Sequence, residues 1–236
     1  MDFVNQNILI TGAADGLGLA ISKSFANTKA NLFLIDINYD RLIENDISNA
    51  NNIQCDLSNI NSVKNLITKF SAEQIHFDVL IHNAAVLVPK SFEETSVEYW
   101  NEMTNISLNS GYLLSNYTWT NMKKNKKGVI IFVSSRSGIE GFENESAYCA
   151  SKHGLEGLMK SLALEGADKG IQVFTVTPGM YMKTPMSEQN YEDEYKKKWV
   201  DPIELAPAFL KLASGNYRNL SGSHVNAWEI SKGEKK

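Results

Sequence analysis

The feature that most constrains this chain is an alternation. Short β-rich runs at Asn7–Ile10, Ala30–Asp36, Asn51–Cys55, Asp78–Asn83, Gly128–Ser134, Ile171–Thr177 and Gly222–Ala227 are separated by stretches with helical spacing. Most of the runs are near-continuous in apolar residues, as strands covered on both faces by helices must be. Leu17, Ala20, Ile21, Ser24 and Phe25 recur at helical spacing between the first two runs. Val97–Met122 is long enough for one extended helix, straight or bent. Ser146–Asp168 makes another, with Ala147, Ala150, Leu155, Leu158, Leu162 and Leu164 among its apolar positions. Such alternation requires right-handed crossovers and a parallel sheet. The expectation is a three-layer, doubly wound α/β fold with seven parallel strands in the order 3-2-1-4-5-6-7.

The 236 residues contain no repeat, linker or low-complexity tract, so 1–236 reads as one domain. Thr184–Val200 breaks the rhythm with charges, aromatics and two methionines. It reads either as a lid over a ligand crevice, spanning 184–201, or as a solvated surface helix. The net charge of −4 lacks the clustered basic footprint of a nucleic-acid binder. Lys123–Lys127 is a basic run suited to a helix C-terminus. No run of about 18 apolar residues predicts a membrane span, and the N-terminus shows no basic region leading into an apolar one. Ser231–Lys236 reads as a solvated tail. Cys55 and Cys149 have no metal-ligand spacing and fit a reducing, cytoplasmic compartment. His76, His82, His153 and His224 likewise show no such spacing, so no metal is expected.

The first run ends in Thr11-Gly12-Ala13-Ala14-Asp15-Gly16-Leu17-Gly18. Small residues let the backbone turn tightly and approach a ligand, and the following helix presents free N–H groups to an anion. Asp36 closes the second run, 20 residues beyond Gly16. A carboxylate there accepts both hydroxyls of an adenosine ribose and repels a 2′-phosphate. Asp15 adds a second negative charge, and Arg41 is the nearest base after Asp36. The turn therefore favours NAD over NADP. Asp56 and Leu57, after the third run, are positioned for the adenine, although Asp56 also reads as a helix cap.

Tyr148-Cys149-Ala150-Ser151-Lys152 puts a phenol and an ammonium on one helix face. A nearby ammonium favours phenolate and is expected to bring the tyrosine toward neutrality, where it can exchange protons with a substrate oxygen. Thirteen residues upstream, Ser135 ends the fifth run and can stabilise developing charge on that oxygen; Ser134 competes for this role.

Together with His82-Asn83-Ala84-Ala85, Pro178-Gly179 and Asn101–Ile106, these motifs resemble the compact short-chain dehydrogenase/reductase family, a Rossmann-fold family, over residues 5–228. The resemblance implies that Tyr148 is the general acid/base and that Lys152 holds the nicotinamide ribose. Ser135 would polarise the substrate oxygen, and Asn105 would fix a water in a relay through Lys152. Gly12, Asp15, Gly16, Leu17 and Gly18 would form the pyrophosphate turn. Asn83 and Ala84 would support the cofactor ribose, and Pro178 and Gly179 would border the nicotinamide. It also implies a homotetramer or homodimer, through the Val97–Met122 and Ser146–Asp168 helices.

Three features depart from the family pattern. Ala85 stands where the family has glycine, Thr184 comes six rather than five residues after Pro178, and Asn226–Ile230 replaces a glycine-rich ending. The expected pocket walls are Val86–Lys90, Arg136–Phe142 and Met180–Val200, with Lys90, Arg136, Glu140 and Glu143 as the charged groups. The reading is an oxidoreductase moving a hydride between NAD(H) and a small secondary alcohol or carbonyl compound. Two rivals share the scaffold: a catalytically silent NAD-binding regulatory protein and a sugar-nucleotide epimerase or dehydratase. A binding module has no need of Asn105, Ser135, Tyr148 and Lys152 together. Epimerases and dehydratases carry a larger substrate domain.

Overall fold

Along the first strand Ile8 and Ile10 are buried on one face and Leu9 on the other, because successive side chains of a strand alternate. The computed structural model describes residues 1–233. Its strands are β1 (Asn7–Thr11), β2 (Asn31–Asp36), β3 (Ala50–Gln54), β4 (Val79–His82), β5 (Gly128–Val133), β6 (Ile171–Thr177) and β7 (His224–Asn226). They form one parallel sheet in the order β3-β2-β1-β4-β5-β6-β7. Every residue of β4 and β5 is buried, which is why their sequences are continuous apolar runs.

Two helical layers supply that cover. On one face Leu17, Ile21 and Phe25 of α1 (Gly16–Ala26) pack with Phe209 and Leu212 of a later helix, Ala206–Ala213. On the other face Val63, Leu66 and Phe70 come from α3 (Ile60–Ala72), which follows the short α2 (Tyr39–Glu44). Leu114 and Met122 come from Ser110–Asn125, and Leu155 and Met159 from Ser146–Gly166. Phe33, Phe70 and Phe77 meet edge-to-face at 5.1–6.3 Å, next to Tyr117. Burying each such side chain stabilises the fold by about 2–3 kcal/mol.

The expected long helix over Val97–Met122 is interrupted. It consists of α4 (Val97–Thr104), a π-helical turn at Asn105–Asn109 and α5 (Ser110–Asn125). The reason is a contact with the sheet. The Ser107 carbonyl is engaged by His82 Nε2 at 2.7 Å. Gly111 makes room for the ring, since a Cβ there would lie 2.9 Å from His82 Cδ2. Ser146–Gly166 is α6, followed by a 3₁₀ turn.

Thr184–Val200 contains α7 (Pro185–Asn190) and α8 (Asp193–Lys196), and Ala206–Ala213 is α9. The last strand is shorter than expected, because Ala227–Lys232 forms α10. The expected tail is therefore corrected at Ser231, whose hydroxyl donates to Leu205 O and accepts from Ala208 N. Residues 234–236 of that expected tail lie outside the described residues. Among the described residues no helix is long and apolar enough to cross a membrane.

Candidate active site

A cavity of about 920 Å³ opens at the C-terminal ends of the strands, where the chain order reverses between β1 and β4. Its floor at one end is the glycine-rich turn. Gly12 has φ +64°, and a Cβ there would lie 2.9 Å from the Ala84 backbone. A Cβ on Gly18 would lie 1.9 Å from the Gly12 carbonyl oxygen. Only glycine fits either position. Asp15 is the N-cap residue of α1, yet its side chain makes no capping bond. The first-turn N–H groups therefore face the turn, which suits an anion.

Asp36 is fixed by two backbone donors, Ala14 N at 2.9 Å and Asn38 N at 3.0 Å. Arg41, the base nearest to it in sequence, is engaged by Asp15 through two contacts at 2.6 and 2.8 Å. Leu57 lines the same end of the cavity. Asp56 also lines it but does not cap α3. Its Oδ1 accepts from Ser58 N and Ser58 Oγ, and Asn59 provides the cap. Asn83 Nδ2 donates to the Thr11 and Gly12 carbonyls at 3.1 and 3.0 Å, tying β4 to the turn. Ala84, Pro178 and Gly179 also face the cavity. A glycine cradle open to an anion, a fixed carboxylate at the end of β2 and an apolar wall at Leu57 together fit a dinucleotide. Despite the extra residue after Pro178, Thr184 lines the cavity and packs against Gly16. Ala85 needs no glycine, since it is not among the residues with positive φ.

Tyr148, Lys152 and Ser135 converge at the centre of the cavity. Lys152 is buried, with Nζ 2.7 Å from the Val133 carbonyl and 5.4 Å from the centre of the Tyr148 ring. Burial pushes its ammonium down to about 8, while Glu156 acts to raise it. The phenol departs from the sequence expectation. Burial pushes Tyr148 well above its ordinary range, aided by Tyr191 and Glu145, and the Ser135 hydroxyl pulls it back only in part. Desolvation of the phenolate sets the direction. Ser134 Oγ points away toward Gly138, which leaves Ser135 as the hydroxyl beside the phenol.

Asn105 does not join this group. Its Nδ2 donates to Ser58 O at 2.8 Å and its Oδ1 accepts from Asn109 at 2.7 Å. It is absent from the residues lining the cavity. The residue turned inward is Ser107, fully buried, with an Oγ that has no hydrogen-bond partner. Two residues apart in this π-helical turn, Asn105 and Ser107 project to nearly opposite sides, and Asn105 is on the side away from the core. His82 completes a buried chain that the sequence did not reveal. Its Nε2 donates to Ser107 O, so Nδ1 accepts from Thr11 Oγ1 at 3.0 Å. Thr11 Oγ1 in turn accepts from Asn83 N and Ala84 N. Burial pushes His82 down to about 4, against the opposing pull of the Ser107 carbonyl.

Of the expected walls, Val86, Leu87, Ile139, Phe142, Met182, Met186 and Arg136 line the cavity, whereas Lys90, Glu140 and Glu143 do not. Lys90 lies over the Tyr99 ring at 4.3 Å, and Glu140 pairs with Arg136 at 2.7 Å. Ser137, inside the expected Arg136–Phe142 wall, lines the cavity, and so does Glu145, which lies outside the expected walls. The available signal was position: Glu145 precedes Tyr148 by three residues, which puts both on one face.

Fold and site together define a dinucleotide-dependent oxidoreductase class, and the comparisons agree. The family profile described as short chain dehydrogenase matches residues 6–195. The chain belongs to the short-chain dehydrogenase/reductase family. It is 30% identical to the 3-oxoacyl-[acyl-carrier-protein] reductase FabG of Rickettsia bellii, covering 96% of this chain and 97% of that one. It is 26% identical to the D-beta-hydroxybutyrate dehydrogenase of Rhizobium meliloti, covering 94% and 97%. Among solved structures it resembles a 4-hydroxyisoleucine dehydrogenase complexed with NADH, with TM-score 0.87 and 27% identity over 94% of this chain and 96% of that one. A putative NAD(P) dependent gluconate 5-dehydrogenase from Beutenbergia cavernae with bound NADP matches with TM-score 0.85 and 26% identity, covering 96% and 98%.

Proposed function

We propose that this chain interconverts a secondary alcohol and its carbonyl compound using NAD(H), with Tyr148 as the general acid/base. The observation that carries this reading is the convergence of Tyr148, Lys152 and Ser135 on the cavity that begins at the glycine turn. When bound, the nicotinamide supplies the redox chemistry. The chain supplies orientation and charge. Gly12, Gly16, Leu17 and Gly18 hold the pyrophosphate, Asp36 the adenosine ribose, and Asp56 and Leu57 the adenine side. Asn83 and Ala84 brace the ribose, Pro178 and Gly179 border the nicotinamide, and Thr184 closes over the turn.

A phenol kept protonated by burial is a ready donor to a carbonyl oxygen in the reductive direction. In the oxidative direction the phenolate must form, and the Lys152 ammonium offsets its charge. Ser135 donates to the same substrate oxygen. Asn105 is given no role.

NAD is favoured over NADP because two carboxylates, Asp36 and Asp15, face the ribose end and Asp15 already engages Arg41. The relatives named above include a structure with NADH and one with NADP, so the preference rests on these side chains. Residues 184–201 act as the lid of a single domain. Asn190 Nδ2 donates to Leu87 O at 2.9 Å, linking the segment to the loop after β4. The reading includes a cytoplasmic homotetramer or homodimer. Its support is two free cysteines and the exposure of Trp100, Tyr112 and Leu164 on α4, α5 and α6.

Calorimetric titration with NADH and, separately, NADPH tests the proposal. NADH binding clearly tighter than NADPH is expected. Tighter NADPH binding reverses the cofactor assignment, and no binding of either leaves a silent scaffold.

A further inference from the structure

Next to Tyr148 a short run of hydroxyls leads to a carboxylate. Ser135 Oγ lies 3.4 Å from Ser137 Oγ, and Ser137 Oγ donates to Glu145 Oε2 at 2.9 Å. A serine has one proton to donate, and an ionised carboxylate has none. The Ser137 proton points toward Glu145, so Ser137 and Glu145 present lone pairs to the cavity they line. Glu145 takes part in no ion pair among the described residues. Two of the cavity cations are engaged elsewhere: Lys152 donates to Val133 O at 2.7 Å, and Arg136 is held by Glu140 at 2.7 Å and lies 5.5 Å over the Phe142 ring.

From this geometry, and resting on the oxidoreductase reading above, we propose that Ser137 and Glu145 form a substrate subsite. It takes a hydrogen-bond donor, a hydroxyl or ammonium, on the carbon next to the reacting one, and it turns carboxylates away. Three observations support the assignment. Glu145 is the N-cap residue of α6, but its side chain makes no capping bond and turns instead to Ser137. It lies one turn before Tyr148, so the subsite adjoins the phenol. Burial pushes its carboxyl up while Ser137 pulls it down, so the charge is incompletely solvated and a donor from a ligand would complete its shell. Tyr191, which senses the Glu145 charge, also lines the cavity and offers a ring face suited to either C–H groups or a cation. A carboxylate at this position would bring acceptors only, facing a like charge.

The test uses the NADH-loaded protein and four small probes, 2,3-butanediol, 1-amino-2-propanol, 2-butanol and 3-hydroxybutyrate, followed by calorimetry and thermal shift. The diol or the amino alcohol is expected to bind at least tenfold more tightly than 3-hydroxybutyrate. Whichever of the two leads identifies the donor as hydroxyl or ammonium. Glu145→Gln should shrink the gap between amino alcohol and hydroxy acid, Glu145→Lys should reverse it, and Ser137→Ala should weaken the diol. NADH affinity reports that each variant is folded, and Glu145→Gln alone suffices if the lysine variant is not. Equal or tighter binding of 3-hydroxybutyrate, an unchanged order in Glu145→Gln, or binding of none of the probes to the NADH-loaded protein would overturn the subsite. Failure of NADH itself to bind would instead remove the reading on which the subsite rests.

Discussion

Lys152 and Glu156 stand one turn apart on α6, both buried, and each is held from the sheet below. The ammonium donates to Val133 O of β5 at 2.7 Å. The carboxylate accepts from Thr175 Oγ1 of β6 at 2.7 Å and from His224 Nδ1 of β7 at 2.8 Å. Those partners keep the Glu156 carboxyl below its ordinary range despite burial. Glu156 opposes the desolvation that pushes Lys152 down to about 8.

Replacing Glu156 with Gln should therefore lower the Lys152 value further. The ammonium would be lost at lower pH, and the alkaline decline in NADH affinity and in kcat/KM should move down by roughly half to one pH unit. Titrations across pH 6–10 check this, and superimposable profiles for the two proteins would show that Glu156 does not act on Lys152.

Tyr148→Phe removes the hydroxyl proposed as proton donor and leaves the ring in place. NADH binding should stay within about threefold of the parent, while turnover should fall by about 10²–10⁴. Steady-state rates with the first substrate found decide the matter, and full activity would rule out the assigned mechanism.

Asp36→Ala should narrow the ratio of NADPH to NADH dissociation constants. Combining it with Asp15→Ala, which releases Arg41, should narrow the ratio further or invert it. An unchanged ratio in both variants would show that the selector lies elsewhere.

His82 is neutral and fully hydrogen-bonded in the folded protein, with a value of about 4 against an ordinary 6.5. Because the folded value is depressed, the unfolded chain binds more protons between these limits. The stabilisation is complete above about pH 6.5 and is lost as pH falls toward 4, by an amount on the order of 3 kcal/mol. His82→Asn should flatten that part of the stability curve, measured by urea unfolding at several pH values. An equally steep acid loss in the variant would locate the titrating group elsewhere.

Much of this was legible in the sequence, for a physical reason. A doubly wound sheet imposes continuous apolar runs on its strands, and a turn that approaches phosphate closely requires glycine at Gly12 and Gly18. Tyr148 and Lys152 were readable because an i, i+4 pair shares a face on any helix. The inward-facing side chain of the Asn105–Asn109 turn was not legible. Residue type points to Asn105, whereas a π turn held by His82 and admitted by Gly111 governs which side chain faces inward.

The sequence by itself determined the layer architecture, the glycine turn and the pairing of Tyr148 with Lys152 on one helix face, because these follow from local periodicity and sterics. Only the tertiary structure decided which polar groups meet across distant segments. It joined His82 to Thr11 and Ser107, Glu156 to His224, and Ser137 to Glu145. It also reversed the expected direction of the Tyr148 shift, because desolvation depends on everything packed around a group and not on its neighbours in the chain.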